Sequence, residues 1–162
     1  MNASAPDNSH KLLIAVGNSA RGDDGLGWAF ADAIAELGRF DGEILYRYQL
    51  QVEDAELISR AGQVVFVDAW QNGETPFQWA PCEGKPQPTY TSHRLEPPAV
   101  VHLCNELFDA APKTYCLLIS GEQWQLGDGL SAHALQNLAQ AIDFFNLQIA
   151  DRTEYCRHLS RI

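Results

Sequence analysis

The chain has 162 residues, of which 46% are hydrophobic and 10% aromatic, enough for one domain to bury its core without a disulfide or a structural metal. This composition excludes intrinsic disorder for most of the chain. The 21 acidic and 11 basic residues give a formal net charge of −10 at pH 7, and with no run of Lys or Arg this excludes nucleic-acid binding and disfavours an anionic membrane surface.

The predicted elements alternate between strands and helices. Residues 1–10 carry no basic region, so we expect a flexible tail rather than an export signal. The apolar run Leu12–Val16 is typical of a strand covered on both faces, and it is too short to span a membrane. Apolar residues then recur at helical spacing from Leu26 to Leu37 and stop at Gly38. The remaining elements are a strand at 43–48, a helix at 53–60, strands at 64–67 and 77–80, a helix at 97–108, a strand at 115–120 and a helix from 131.

This alternation predicts an α/β fold, a single-domain three-layer sandwich in which helices flank a twisted, mostly parallel sheet. No internal repeat, low-complexity tract or linker divides the sequence, so we expect one domain over residues 11–162. Within the sheet, the segment 77–80 fits an edge strand.

The four cysteines are irregularly spaced and form no CxxC pair, which does not favour a zinc ribbon or a thioredoxin-type motif. Cys104 and Cys116 lie in apolar stretches and fit small core residues. Since there is no export signal, we expect free thiols and a cytoplasmic protein.

Three groups of polar residues follow predicted strands or lie shortly after one. Asp23 and Asp24 lie in the glycine-rich segment after the first strand, Asp68 ends the strand at 64–67, and His93 lies in the loop before the helix at 97–108. Ligands of open parallel sheets bind at the carboxyl ends of the strands, where these side chains would meet. Two carboxylates and an imidazole form an open set of ligands that suits nickel, zinc, manganese or iron.

Each of these residues also has an ordinary structural explanation. Asp23 or Asp24 can cap the first helix and complement its dipole. Asp68 can lie at the rim of the sheet, and His93 can be solvated in a polar loop. The convergence of all three groups is what favours a site.

The sequence lacks the common motifs of nucleotide-binding proteins and of serine and zinc hydrolases. The glycines at 17–27 do not spell GxGxxG, there is no GK[ST], and two adjacent aspartates would repel a phosphate, which disfavours nucleotide binding. Neither GxSxG nor HExxH occurs, so hydrolysis here would have to be assisted by a metal. Three further histidines fit structural or solvated roles: His102, His133 and His158.

At these motifs the sequence resembles the hydrogenase maturation proteases, over nearly the whole chain from Leu12 to the final helix. The most specific blocks are LLIAVGN at 12–18 and GDDGLG at 22–27. Further segments similar to the family are VFVDA at 65–69, SHRLEP at 92–97, GE at 121–122 and GDGLS at 127–131. Ala15 and the segment YQLQV at 48–52 depart from the common pattern, and the latter resembles a Gln-Leu variant of some branches.

The resemblance implies a cytosolic endopeptidase that removes the C-terminal extension of a nickel–iron hydrogenase large-subunit precursor after nickel insertion. It implies that Asp24, Asp68 and His93 are the catalytic and metal-contacting residues, with Asp24 preferred over Asp23. The nickel would be carried by the substrate, no organic cofactor is expected, and the protein is expected to be a monomer. The alternatives are an α/β module that binds the nickel-loaded precursor without cutting it, and a small-ligand or nucleotide-binding domain.

Overall fold

A computed structural model describes residues 7–88 and 94–159. Five strands and four helices alternate along these residues, with a single 3-10 turn at Gly22–Gly25 after the first strand. The strands are β1 (Asp7–Val16), β2 (Glu43–Arg47), β3 (Ala61–Gln71), β4 (Phe77–Pro81) and β5 (Lys113–Gly121). The helices are α1 (Leu26–Leu37), α2 (Asp54–Ser59), α3 (Pro97–Phe108) and α4 (Ala132–Leu159).

The strands form one sheet in the order β2-β1-β3-β5-β4. The first four are parallel, and β4 pairs antiparallel with β5 at the edge. Helices cover both faces, so the predicted α/β three-layer sandwich is confirmed. No helix of the described residues is both long enough and apolar enough to cross a membrane.

The core lies on both sides of the sheet because successive residues of a strand point to opposite faces. One face packs against α2 and α3, and the other packs against α1 and α4. The buried residues of β1 and β3 are Leu12, Ile14, Val16, Ala61, Val64 and Phe66 on the first face and Leu13, Ala15, Val65 and Val67 on the second. This alternation within continuous apolar runs explains why the sequence predicted strands buried on both faces.

Local signals fixed two of the helices. α1 ends before Gly38, which adopts a left-handed conformation with φ of 65°. α3 begins with Pro97 in its first turn, where a missing N–H costs nothing, after Glu96 as the N-terminal cap. Both helices therefore have the bounds that the sequence predicts.

Several strand boundaries differ from the prediction, and two of the differences are extensions that lengthen β1 and β3 beyond their predicted apolar runs. Residues 7–10 belong to β1 rather than to the N-terminal tail, while residues 1–6 lie outside the described residues. β3 does not end at Asp68 but continues to Gln71, pairing with β5 as far as Gly121. Both extensions are polar or mixed in sequence, so hydrophobic patterning does not detect them.

The described thiols are free, as predicted: Cys82, Cys104 and Cys116. Cys104 is fully buried on α3, and Cys116 packs against the same core face.

Candidate active site

The loop after β1 is folded tightly against the carboxyl ends of the strands. Gly17 has φ of 150°, and a Cβ atom there would lie closer than 3.0 Å to the Asp24 carbonyl oxygen. The Asn18 N–H donates to that same oxygen at 3.0 Å. At the start of α1, Gly27 approaches the carbonyl oxygens of Val16 and Val67 so closely that a Cβ would clash with both. These contacts hold Asp24 beside the ends of β1 and β3.

The neighbouring Asp23 has a different role. Its carboxylate is fully buried and accepts N–H bonds from Glu122 at 2.8 Å, Gln123 at 3.0 Å and Ser131 at 2.7 Å. The Ser131 hydroxyl donates a fourth bond at 2.8 Å. Burial by itself raises the pKa of Asp23, but these hydrogen bonds together hold it below its ordinary value. Asp23 therefore fixes the loop between β5 and α4 and has no free oxygen for a ligand.

Asp68 lies on β3 two residues after Phe66, on the sheet face that α3 covers. Its side chain is only 16% exposed, and its Oδ1 accepts the N–H of Ala69 at 2.8 Å. Burial raises the pKa of Asp68 to about 7, with the charges of Asp24 and Glu96 adding to the rise and Arg94 and the Ala69 N–H opposing it. Near neutral pH this carboxyl group is thus poised between its protonated and ionised forms.

Arg94 links the two carboxylates that the sequence singled out. One of its guanidinium nitrogens, Nη2, lies 3.9 Å from Oδ1 of Asp24 and 3.8 Å from Oδ2 of Asp68. The structure thus brings Asp24 and Asp68 to one cation, as the rule for carboxyl ends of parallel strands predicted. The Asp24 side chain is 21% exposed, so the pair is open to solvent on one side.

His93, the third predicted residue, lies outside the described residues. The chain that follows it is well anchored: Leu95 forms an isolated antiparallel bridge with Leu50, which is itself buried. In addition, Gln87 accepts the Glu96 N–H at 3.2 Å and donates to the Arg94 carbonyl at 3.3 Å. The described chain therefore resumes at Arg94, whose side chain lies beside Asp24 and Asp68.

The unusual segment 48–52 supports this arrangement. Leu50, the leucine of the Gln-Leu variant, is the residue that bridges to Leu95. Asp54 is almost fully buried and holds the segment, since its carboxylate accepts the Gln51 N–H at 2.9 Å and the Arg47 Nε–H at 3.1 Å.

An aromatic group lies at the same edge of the sheet. The rings of Trp28 and Tyr48 are 4.9 Å apart between centroids, and Trp28 donates its indole N–H to the Arg47 carbonyl at 3.1 Å. Tyr48 is largely exposed. The site thus combines two carboxylates with an exposed aromatic surface, which suits contact with a polypeptide.

Two oxygen donors make an incomplete set for a transition metal. Among residues 7–88 and 94–159, no three His, Cys, Asp or Glu side chains are grouped closely enough to hold a metal ion. Asp24 and Asp68 could supply two oxygen ligands to a metal ion only if further ligands were added to them.

Sequence reasoning missed two features of the site. Arg94 lies in the SHRLEP segment, and the sequence pattern assigns it no role. The signal for one is that two neighbouring carboxylates in a partly buried site are stabilised by a positive charge. The role of Asp23 was not separable from that of Asp24, because its partners are backbone N–H groups about 100 positions later in the chain.

Comparison with known proteins assigns the fold. No protein-family model matches the sequence, and no curated protein sequence matches it. Among solved structures, it is similar to the [NiFe] hydrogenase maturation protease HycI from Thermococcus kodakarensis, with 20% identity, a TM-score of 0.63 and coverage of 88% of this chain and 91% of that one. It is also similar to the hydrogenase maturating endopeptidase HybD from E. coli, with 14% identity, a TM-score of 0.67 and coverage of 88% of this chain and 93% of that one. An uncharacterized protein from Wolinella succinogenes gives 21% identity, a TM-score of 0.59 and coverage of 86% and 96%. The chain therefore has the fold found in hydrogenase maturation proteases.

Proposed function

We propose that this protein is a hydrogenase maturation protease. It is a monomeric, cytoplasmic endopeptidase that removes the C-terminal extension of a nickel–iron hydrogenase large-subunit precursor after nickel has been inserted. The observation that carries the proposal is the meeting of Asp24 and Asp68 around one cation, at the carboxyl edge of a sheet shared with solved maturation proteases.

The proposed site residues are Asp24, Asp68 and His93, which contact the nickel ion of the precursor. The ion arrives with ligands from the substrate, so an incomplete set on the protease is what the reaction requires. When bound, nickel supplies positive charge that polarises the scissile carbonyl or lowers the pKa of an attacking water. The contacts from the protease fix the C-terminal segment of the precursor relative to these residues.

The reaction is a hydrolysis without a covalent enzyme intermediate. Water adds to the scissile carbonyl carbon, the C–N bond breaks, and the released amine takes up a proton. A carboxylate of the site can accept a proton from the attacking water as a general base. We assign this chain no nucleophilic side chain.

The direct test incubates the purified protein with nickel-loaded and nickel-free precursor and measures the mass of the large subunit. We expect loss of the C-terminal extension only from the nickel-loaded form. Asp24→Asn and Asp68→Asn should each abolish cleavage, whereas Glu36→Gln, an exposed carboxylate on α1, should not affect it. A nickel-loaded precursor that is bound but stays intact would instead identify a non-catalytic binding module. Saturable nucleotide binding that is insensitive to Asp68→Ala and His93→Ala would identify a ligand-binding domain.

A further inference from the structure

Arg94 occupies the position where a cation would bridge the two carboxylates. Its guanidinium is within ion-pair distance of both Asp24 and Asp68, yet each distance, 3.9 and 3.8 Å, is too long for a hydrogen bond. The side chain is 42% exposed. Arg94 thus neutralises the pair by charge alone and is not fixed there by directional bonds.

The backbone around Arg94 is held independently of that charge. The bridge between Leu50 and Leu95 and the two hydrogen bonds of Gln87 fix residues 94–96 through main-chain atoms. The guanidinium can therefore swing into solvent without moving the loop. A structural ion pair would show the opposite pattern, with the side chain buried and hydrogen-bonded.

A positive charge at this position opposes the binding of a second cation. A guanidinium and a divalent ion bound by the same two carboxylates would repel each other at a few ångströms, in a partly buried site where the effective dielectric constant is below that of water. A free metal ion must displace Arg94 and supply all its remaining ligands from water. An ion presented by a protein partner comes with its other ligands in place and with further contacts that offset the displacement.

We propose that Arg94 is a specificity-determining residue that acts as a resident counter-cation. It keeps free divalent ions out of the Asp24–Asp68 site and gives way to the metal carried by the substrate. This inference rests on the proposed function, since it assumes that these carboxylates are the metal contacts.

The test measures binding of free Ni²⁺ and Co²⁺ to the isolated protein by calorimetry at about pH 8, with no precursor present. Arg94→Gln should bind each ion about tenfold more tightly than wild type, and Arg94→Lys should stay close to wild type because it keeps the charge. The matched control is Arg60→Gln, which removes the same charge from the exposed pair with Glu56 at the end of α2 and should change nothing. Combining Arg94→Gln with Asp68→Asn should remove the tighter binding.

The results separate the two proposals. Binding by Arg94→Gln that is no tighter than wild type, or equally tight with Asp68→Asn added, would overturn the role of Arg94, whatever the result with the precursor. An uncleaved precursor combined with tighter metal binding by Arg94→Gln would overturn the protease function and leave the counter-cation in place. Circular dichroism of each variant checks that the fold is retained.

Discussion

Replacing Asp68 by Asn should make the protein more stable and inactive at the same time. The substitution keeps the shape of the side chain and an oxygen that can accept the Ala69 N–H, and it replaces the other, charged oxygen by a neutral NH2 group. In the folded protein the pKa of Asp68 rises from an ordinary value of 3.8 to about 7, mainly because the carboxyl group is buried. Ionising it in place therefore costs free energy that the unfolded chain does not spend.

The sign and size of the effect follow from proton linkage. Because the folded-state pKa lies above the unfolded one, the folded protein binds more protons between these values, and stability falls as pH rises from about 4 to about 7. At full ionisation the cost is about 4 kcal/mol, as an upper value. The Asn variant has no such term, so its advantage over wild type should grow with pH and level off above about pH 8.

Urea denaturation followed by circular dichroism measures this difference. We expect the advantage of Asp68→Asn over wild type to increase by about 2–3 kcal/mol between about pH 5 and about pH 8. Taking the difference between the two proteins cancels the other titrating groups, and Glu36→Gln serves as the control for removal of a surface charge. A difference that does not depend on pH, or a variant less stable than wild type at the higher pH, would refute the assigned cause.

Three further predictions concern the loop that carries the two adjacent aspartates. Asp23→Asn should lower the free energy of unfolding at neutral pH by about 2–4 kcal/mol, since an amide leaves at least one buried N–H donor without an acceptor. This loss should shrink in acid, because the wild-type carboxylate is itself protonated once the pH falls through its lowered pKa. Thermal melts of both proteins at neutral and acidic pH test the loss and its pH dependence. Asp24→Asn should shift the melting temperature little while abolishing cleavage of the nickel-loaded precursor, and cooperative unfolding lost in this variant would assign Asp24 to the fold instead. Gly27→Ala should cost about 1–3 kcal/mol because the new methyl group meets the carbonyl oxygens of Val16 and Val67, and a melting temperature equal to wild type would show that the helix can shift.

Local patterns were sufficient for most of the fold. α1 and α3 carry their own end signals, a glycine after the last turn and a proline in the first one. The apolar centres of β1 and β3 were visible, but the polar extension at 7–10 and the mixed one at 69–71 are strand because a neighbouring strand supplies hydrogen-bond partners. Pairing of that kind is a property of the tertiary structure and not of the segment.

The topology of a parallel sheet was enough to predict one part of the candidate site, the meeting of two carboxylates. Knowing that parallel strands end at one edge was enough to expect Asp24 and Asp68 together. It was not enough to assign Asp23, which binds backbone N–H groups of a distant loop, or Arg94, whose charge matters only because two carboxylates from other loops converge on it.

The hydrogen bonds of Asp23 have a consequence for biosynthesis. They join positions 99 to 108 residues apart, so this part of the anchoring of the turn that presents Asp24 can form only after β5 and the start of α4 have been made. Contacts that close such long loops cost more chain entropy than local ones and slow folding. A nascent chain that still lacks residues 122–131 therefore has the local contacts of the loop at Asp24 but not the bonds that Asp23 makes to the distant loop. The bonds that complete the anchoring of the turn at Asp23 and Asp24 therefore depend on a segment that is synthesised about 100 residues after it.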